Sequence, residues 1–146
     1  MNNQEKSVVL DCEFQSAIEK VWFALTDAPT LSKWMLFEAD GFQPVAGHKF
    51  QFRSAPYGGW DGVVNGEVLE VDAPYRLSYT WIGGPETLMI STTVTWTLRE
   101  MRPGATQLHL EQSGFPSGAK QAIGGAQYGW KGMLEQLRTM LAVQEN

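Results

Sequence analysis

The sequence predicts an α+β fold in which a curved antiparallel sheet wraps around one long C-terminal helix. An alternating segment near the N-terminus predicts a first strand, and a series of such segments with turns between them follows from Gly47 to Gly114. After Pro116 the apolar residues recur at helical spacing. Because 146 residues suit one substantial core, we expect residues 1–146 to form a single domain.

The first predicted element is a strand over residues 7–14. Asp11 and Glu13 occupy one face, and the opposite face carries the apolar residues Val8, Leu10, Cys12 and Phe14. Cys12 is the only cysteine, so an internal disulfide and a multi-thiolate metal site are excluded. Its position in an apolar strand predicts an inert, buried thiol.

Two short helices are predicted after this strand. Ser16 and Glu19 have the spacing of a capping box, which predicts the start of the first helix. Residues 26–29 should end it, because Pro29 disfavours the helical conformation of the residue before it. Apolar residues around Trp34 then indicate one or two further helical turns.

Five more strands are predicted in the central region, where Gly and Pro punctuate the apolar segments. They cover residues 48–54, 62–71, 76–81, 88–99 and 106–113. The fourth of them shows its faces most clearly, since Ile90, Val94 and Trp96 alternate with serine and threonine. This alternation is typical of an antiparallel sheet with one solvated face.

The last predicted element is a long helix with an apolar stripe that should cover the sheet. The stripe consists of Trp130, Met133, Leu134, Leu137 and Leu141. Gly124, Gly125 and Gly129 lower helix stability near its start. They indicate either a loose first segment or a backbone that lies close to another group.

Charge and hydropathy exclude several classes of function. The net charge is −5 and the basic residues are dispersed, so we expect no nucleic-acid partner. No apolar run approaches the roughly 20 residues of a membrane span, and the N-terminus is polar. We therefore expect neither a membrane span nor a signal peptide, and a cytoplasmic localisation.

No catalytic residue, metal site or cofactor is predicted. His48 and His109, the only histidines, are expected at the surface, and neither has a partner at metal-ligand spacing. The glycine-rich residues 58–62 lack the lysine and the following helix of a phosphate-binding loop, so a hairpin turn is favoured. Arg53 and Gln112 could orient a ligand from the sheet, or could equally lie on its outer face.

Several segments together resemble the activator of heat-shock-protein-90 ATPase homologue family. They are residues 21–27 with Leu31 and Trp34, residues 47–52, 66–77, 79–81 and 113–115, and residues 129–130 with Leu134 and Leu137. This family is part of the START-like superfamily, which includes the birch pollen allergen and polyketide cyclases. The resemblance implies a helix-grip fold, in which six strands grip the long helix and two short helices form a V after the first strand.

The resemblance also implies a cavity between sheet and long helix, which in relatives holds apolar small molecules such as lipids, sterols or polyketides. The aromatic residues on their own admit a second interpretation, a solid core. With the resemblance, we predict a ligand site lined by Trp34, Phe50, Phe52, Tyr79, Trp81, Ile90, Val94, Trp96, Leu110, Trp130, Met133 and Leu137.

The predicted function is therefore the binding of a small hydrophobic molecule. Two alternatives stay open: an interaction domain of the chaperone-ATPase-activator type, with a chaperone as partner, and a cyclase or hydrolase that uses the same cavity. An enzyme should place a titratable pair in the cavity, whereas a binding protein needs an apolar lining with one or two polar groups.

Overall fold

The computed structural model describes residues 6–39, 41–56, 59–84 and 89–144, and it confirms the α+β class and the predicted order of elements. These elements are β1 (Lys6–Phe14), α1 (Ile18–Thr26), α2 (Ala28–Trp34), β2 (Lys49–Arg53), β3 (Val63–Asp72), β4 (Arg76–Gly83), β5 (Ile90–Arg102), β6 (Ala105–Phe115) and α3 (Lys120–Gln144). Their bounds differ from the predicted ones by a few residues. Leu88, the predicted start of the fifth strand, lies outside the described residues.

The strands form one antiparallel sheet in the order β1-β6-β5-β4-β3-β2. The first strand pairs with the last strand, so β1 and β2 are the two edge strands of an open sheet. The predicted stripe of α3 is buried against the inner face of the sheet: Trp130, Met133, Leu134, Leu137 and Leu141. This arrangement is the helix-grip fold. No helix within the described ranges is long and apolar enough to cross a membrane.

The two short helices are confirmed, but the predicted capping box is wrong. The N-cap of α1 is Ala17, and no side chain caps this end. Ser16 lies one residue further out, where its carbonyl accepts a 2.8 Å hydrogen bond from Thr106 Oγ1 of β6. Asp27 instead caps α2, because its Oδ2 accepts from the Thr30 main-chain N–H at 3.2 Å.

Other parts of the chain form hydrogen bonds to both edge strands of the sheet, and these contacts cover part of each edge. At β2, the Glu38 main-chain N–H donates to the Arg53 carbonyl at 2.7 Å, and the Arg53 N–H donates back at 3.0 Å. At β1, Arg138 Nη1 of α3 donates to the Glu13 carbonyl at 2.9 Å. These contacts use backbone groups that an edge strand otherwise leaves unpaired.

The glycines of α3 differ in their surroundings from Gly66 of β3. A Cβ atom at Gly124, Gly125 or Gly129 would meet nothing within 4 Å. Of the two alternatives that the sequence left open here, the loose first segment fits this open space and the close backbone approach does not. At Gly66 a Cβ would lie 2.4 Å from both the Phe50 ring and the Thr80 carbonyl oxygen. Only glycine fits this position of the sheet without movement.

Candidate functional site

The predicted ligand-binding residues all belong to the inner face of the sheet or to the helices that cover it. Trp81 and Ile90 are half-buried, and the remaining members of the set are buried. The alternation of β5 explains this placement, because Val94 and Trp96 point inward while Thr95 between them points outward. The structure thus brings together residues from α2, α3 and four strands.

Contacts between aromatic rings join most of this set. The ring of Trp96 lies 6.0 Å from that of Trp34 and 5.4 Å from that of Trp130, and Trp130 lies 5.2 Å from Trp81. Phe52 lies 5.8 Å from Trp81 and thereby connects the rings of β2 to the same group. Such distances are those of rings in contact. In this structure the rings of this row pack against one another.

Three aromatic rings form a partly exposed end of the row, which we call the aromatic mouth: Phe37, Trp60 and Trp81. Phe37 lies 5.5 Å from Trp81 and 6.3 Å from Trp60, and all three are half-buried. Phe37 follows α2, Trp60 precedes β3, and Trp81 lies near the end of β4. Phe37 and Trp60 were not in the predicted site, because both lie outside the periodic segments that define strands and helices.

The buried side-chain amide of Gln112 forms hydrogen bonds on the inner face of the sheet. Gln112 is 3 % exposed, and its Oε1 accepts a 2.7 Å hydrogen bond from Trp130 Nε1. Its Nε2 donates to Thr92 Oγ1 at 2.8 Å. Arg53, the other polar candidate, is exposed on the outer face. Strand phase could have separated the two residues, because Gln112 is in phase with the apolar Leu110 of β6 and Arg53 is out of phase with Phe52 of β2.

Tyr79 is the buried titratable side chain of the site. Its hydroxyl oxygen accepts a 2.9 Å hydrogen bond from Trp96 Nε1. Burial raises the pKa of Tyr79 far above its ordinary value, and the Trp96 contact lowers it only in part. The phenol is therefore neutral over the physiological pH range and acts as a hydrogen-bonding group.

The two histidines and the surface ion pairs lie away from the inner face. His109 Nδ1 is 2.7 Å from Asp11 Oδ1 in an exposed pair, and Arg76 Nε is 2.8 Å from Glu70 Oε1. His48 Nε2 is 2.7 Å from the Gly41 carbonyl oxygen. Within the part of the chain that the structure describes, no three side chains of His, Cys, Asp or Glu cluster in a way that could hold a metal ion.

Two surface clefts lie near the edge strand β2. The first, which we call the β2 cleft, has a volume of about 640 Å³ and is lined by Glu38, Gly41, Lys49, Phe50, Gln51, Arg53, Asn65 and Gly66. The second has a volume of about 560 Å³ and is lined by Ser32, Met35, Leu36, Phe37, Glu38, Arg53, Ser54 and Ala55. Both clefts are open to the surface, and the second reaches the aromatic mouth through Phe37.

Residues 15–142 match the family described as Activator of Hsp90 ATPase homolog 1-like protein. The comparison with curated proteins finds no match. Among solved structures, protein Mll2253 of Mesorhizobium loti is similar over 94% of this chain and 97% of its own, with 34% identity and a TM-score of 0.81.

Two further solved structures share the fold. Protein BH1534 of Bacillus halodurans has 25% identity and a TM-score of 0.76, over 96% of this chain and 99% of its own. CalU16 of Micromonospora echinospora has 22% identity and a TM-score of 0.73, over 97% of this chain and 79% of its own. At 22% identity, the likeness to CalU16 concerns the fold alone.

Proposed function

Because the chain belongs to the family of Activator of Hsp90 ATPase homolog 1-like proteins, within the START-like superfamily, we propose that it binds an apolar small molecule between α3 and the inner face of the sheet. The proposed ligands are lipids, sterols and polyketide-like molecules. This family has a fold that suits hydrophobic ligands. The chaperone, as the alternative partner, stays an expectation from the family alone.

The observation that carries the proposal is the aromatic mouth. Phe37, Trp60 and Trp81 are large rings that remain half-buried, although other rings of the same row are buried. An apolar ligand that covers exposed apolar surface gains roughly 25 cal/mol of binding free energy for each Å² that it removes from water. Flat ligands can also stack on such rings.

The start of α3 offers a route by which the ligand could reach deeper residues. Gly124, Gly125 and Gly129 have open space around them, and the apolar residues of this part, such as Ile123, are only half-buried. Few buried contacts and several glycines lower the cost of local opening. Movement here would widen the mouth toward Trp130 while the second half of α3 stays packed.

The polar groups of the interior support binding more than acid–base chemistry. Apart from Tyr79, the buried polar side chains among the described residues are hydroxyls and the Gln112 amide. Neither an amide nor a threonine hydroxyl titrates near neutral pH, whereas both can orient a ligand through hydrogen bonds. A ligand hydroxyl could replace Trp130 Nε1 as the donor to Gln112 Oε1, and a ligand carbonyl or hydroxyl could replace Thr92 Oγ1 as the acceptor from Gln112 Nε2.

Titration with a fatty acid, a sterol and a flavonoid, followed by amide chemical shifts, tests the proposal. We expect at least one compound to give saturable shifts around Phe37, Trp60 and Trp81. Trp81→Ala should weaken the affinity by about tenfold or more, because one stacking surface is lost. Tyr75→Ala is the matched control: this exposed aromatic residue lies next to the opposite end of β4 and should not change the affinity.

A second variant tests whether space can form below α3. In Met133→Trp the larger ring should occupy that space, so we expect a folded protein that no longer binds. If this variant instead loses several kcal/mol of unfolding free energy, the interior behaves as a solid, overpacked core. That result, or equal binding by wild type and Trp81→Ala, or no shift with any compound, would contradict the proposal.

A further inference from the structure

We propose that the β2 cleft is a second binding site, on the outer face of the sheet, for a small molecule that carries two or more anionic groups, such as a tricarboxylate or a diphosphate. Lys49, Gln51 and Arg53 are exposed and alternate along β2 with the buried Phe50 and Phe52. Their side chains therefore point away from the inner face and from α3. The cleft volume of about 640 Å³ is in the range of small-molecule sites.

Hydrogen bonds within the cleft engage the side-chain oxygens of both its amides. Arg53 Nη2 donates to Gln51 Oε1 at 2.7 Å, and Gln51 Nε2 donates to Asn65 Oδ1 at 2.8 Å. Gln51 and Asn65 are direct cross-strand partners, so the β2–β3 register holds this row in place. What the row still offers to a ligand is mainly N–H groups: the Asn65 amide and the remaining donors of the Arg53 guanidinium. A surface of donors favours a ligand rich in acceptor oxygens.

Two positive charges stand at the ends of this row. Lys49 and Arg53 form no ion pair among the described residues, whereas Arg76 and Arg102 pair with Glu70 and Glu13. Four residues of a strand separate their Cα atoms by roughly 13 Å. Long, flexible side chains can converge from that distance on a ligand with two anionic groups.

The lining also contains one carboxylate and some bare backbone. Glu38 is the only acidic residue of the described lining, so Lys49 and Arg53 outnumber it. Its main chain is tied to Arg53 by the two edge hydrogen bonds. Gly41 contributes backbone without a side chain and has open space around it, which lets a ligand approach closely. Glu67, the cross-strand partner of Lys49, lies beside this lining, so the site depends on the placement of Lys49 and Arg53 and not on a local excess of positive charge.

Titration of the full chain with citrate and with pyrophosphate at constant ionic strength tests this site. We expect saturable amide shifts at Lys49, Gln51, Arg53 and Asn65 with at least one of them, and the stronger binder identifies carboxylate or phosphate as the preferred group. Arg53→Gln should weaken binding by about tenfold, the usual loss for one charge-assisted hydrogen bond. Asn65→Asp should abolish it, because a charged acceptor replaces the donor while still accepting from Gln51.

Arg99→Gln is the matched control. Arg99 lies on the same outer face and donates to Gln107 much as Arg53 donates to Gln51, but it does not line the cleft. The Arg99→Gln variant should bind both anions like the wild type. The inference is overturned if neither anion gives saturable shifts at millimolar concentration, if Arg53→Gln and Asn65→Asp, each with a native-like spectrum, bind unchanged, or if Arg99→Gln loses as much affinity. None of these results depends on the proposed apolar ligand.

Discussion

The indole Nε1 of Trp130 donates a hydrogen bond of 2.7 Å to Oε1 of Gln112, so α3 is fastened to β6 by a buried polar contact as well as by packing. The Gln112 amide then donates to Thr92 Oγ1, which donates to the Trp81 carbonyl at 3.1 Å. Each member of this chain of bonds has a partner, and a satisfied buried network favours one arrangement of helix and sheet over others.

Replacing Gln112 by leucine should lower the free energy of unfolding by about 1–3 kcal/mol. The reason is that Trp130 Nε1 would stay buried without an acceptor, since leucine offers none. Urea denaturation measures the change. Gln136→Leu on the exposed side of α3 is the control and should alter stability by about 0.5 kcal/mol or less. Equal stability of Gln112→Leu and wild type would contradict a stabilising role for this contact.

Two glycine-to-alanine changes should have opposite signs. Gly66→Ala should destabilise the protein by about 1–3 kcal/mol or more, because the Thr80 carbonyl oxygen would lie 2.4 Å from the new Cβ. Gly124→Ala should stabilise it by about 0.5–1 kcal/mol, since the helix gains a better former and the space is open. Thermal unfolding of both variants decides the matter, and a stable Gly66→Ala protein would refute the close approach.

The buried phenol of Tyr79 should make stability fall at alkaline pH. Its pKa is raised in the folded state, so above pH about 10 the unfolded chain loses this proton while the folded chain keeps it. The contribution is complete below that pH and falls by up to about 1.4 kcal/mol for each further pH unit. The difference in unfolding free energy between wild type and Tyr79→Phe, measured from pH 9 to 11, isolates the effect. A difference that does not vary with pH would contradict it.

The single thiol should react slowly with disulfide reagents at neutral pH. Burial raises the pKa of Cys12, although the guanidinium of Arg138 lowers it in part, so the reactive thiolate is scarcer than in a free cysteine. The chain unfolded in urea provides the reference rate. Arg138→Gln should slow the reaction further, because the positive charge that favours the thiolate is gone. Cys12 is half-buried and not buried as the sequence predicts, and a native rate equal to that of the unfolded chain would show that its surroundings do not perturb the thiol.

Sequence periodicity predicts those strands and helices in which apolar residues recur at the spacing of the element. The alternation around Trp96 and the helical stripe around Leu137 place those residues correctly, because strand and helix geometry convert spacing directly into facing. The aromatic mouth is harder to predict from the sequence. Phe37 lies in a connection, where no repeat assigns a direction, and its contact with Trp81 joins residues that are far apart in the sequence.

The β2 cleft depends on information that no local pattern contains. Gln51 and Asn65 meet because β2 and β3 pair in one register, and a slip of one residue would turn the two side chains to different faces. Register follows from turns and from close contacts such as that at Gly66. A single sequence shows the residues for such a site but not their pairing.

The contacts that cover part of each sheet edge affect how the protein aggregates in concentrated solution. An open sheet can template further strands from neighbouring molecules, and its edges are where such growth begins. Here the Glu38 segment occupies part of one edge and the Arg138 guanidinium occupies a carbonyl of the other. We therefore expect a short connection and one arginine to hinder fibril growth at these edge positions in concentrated solution, in addition to the stability that the core provides.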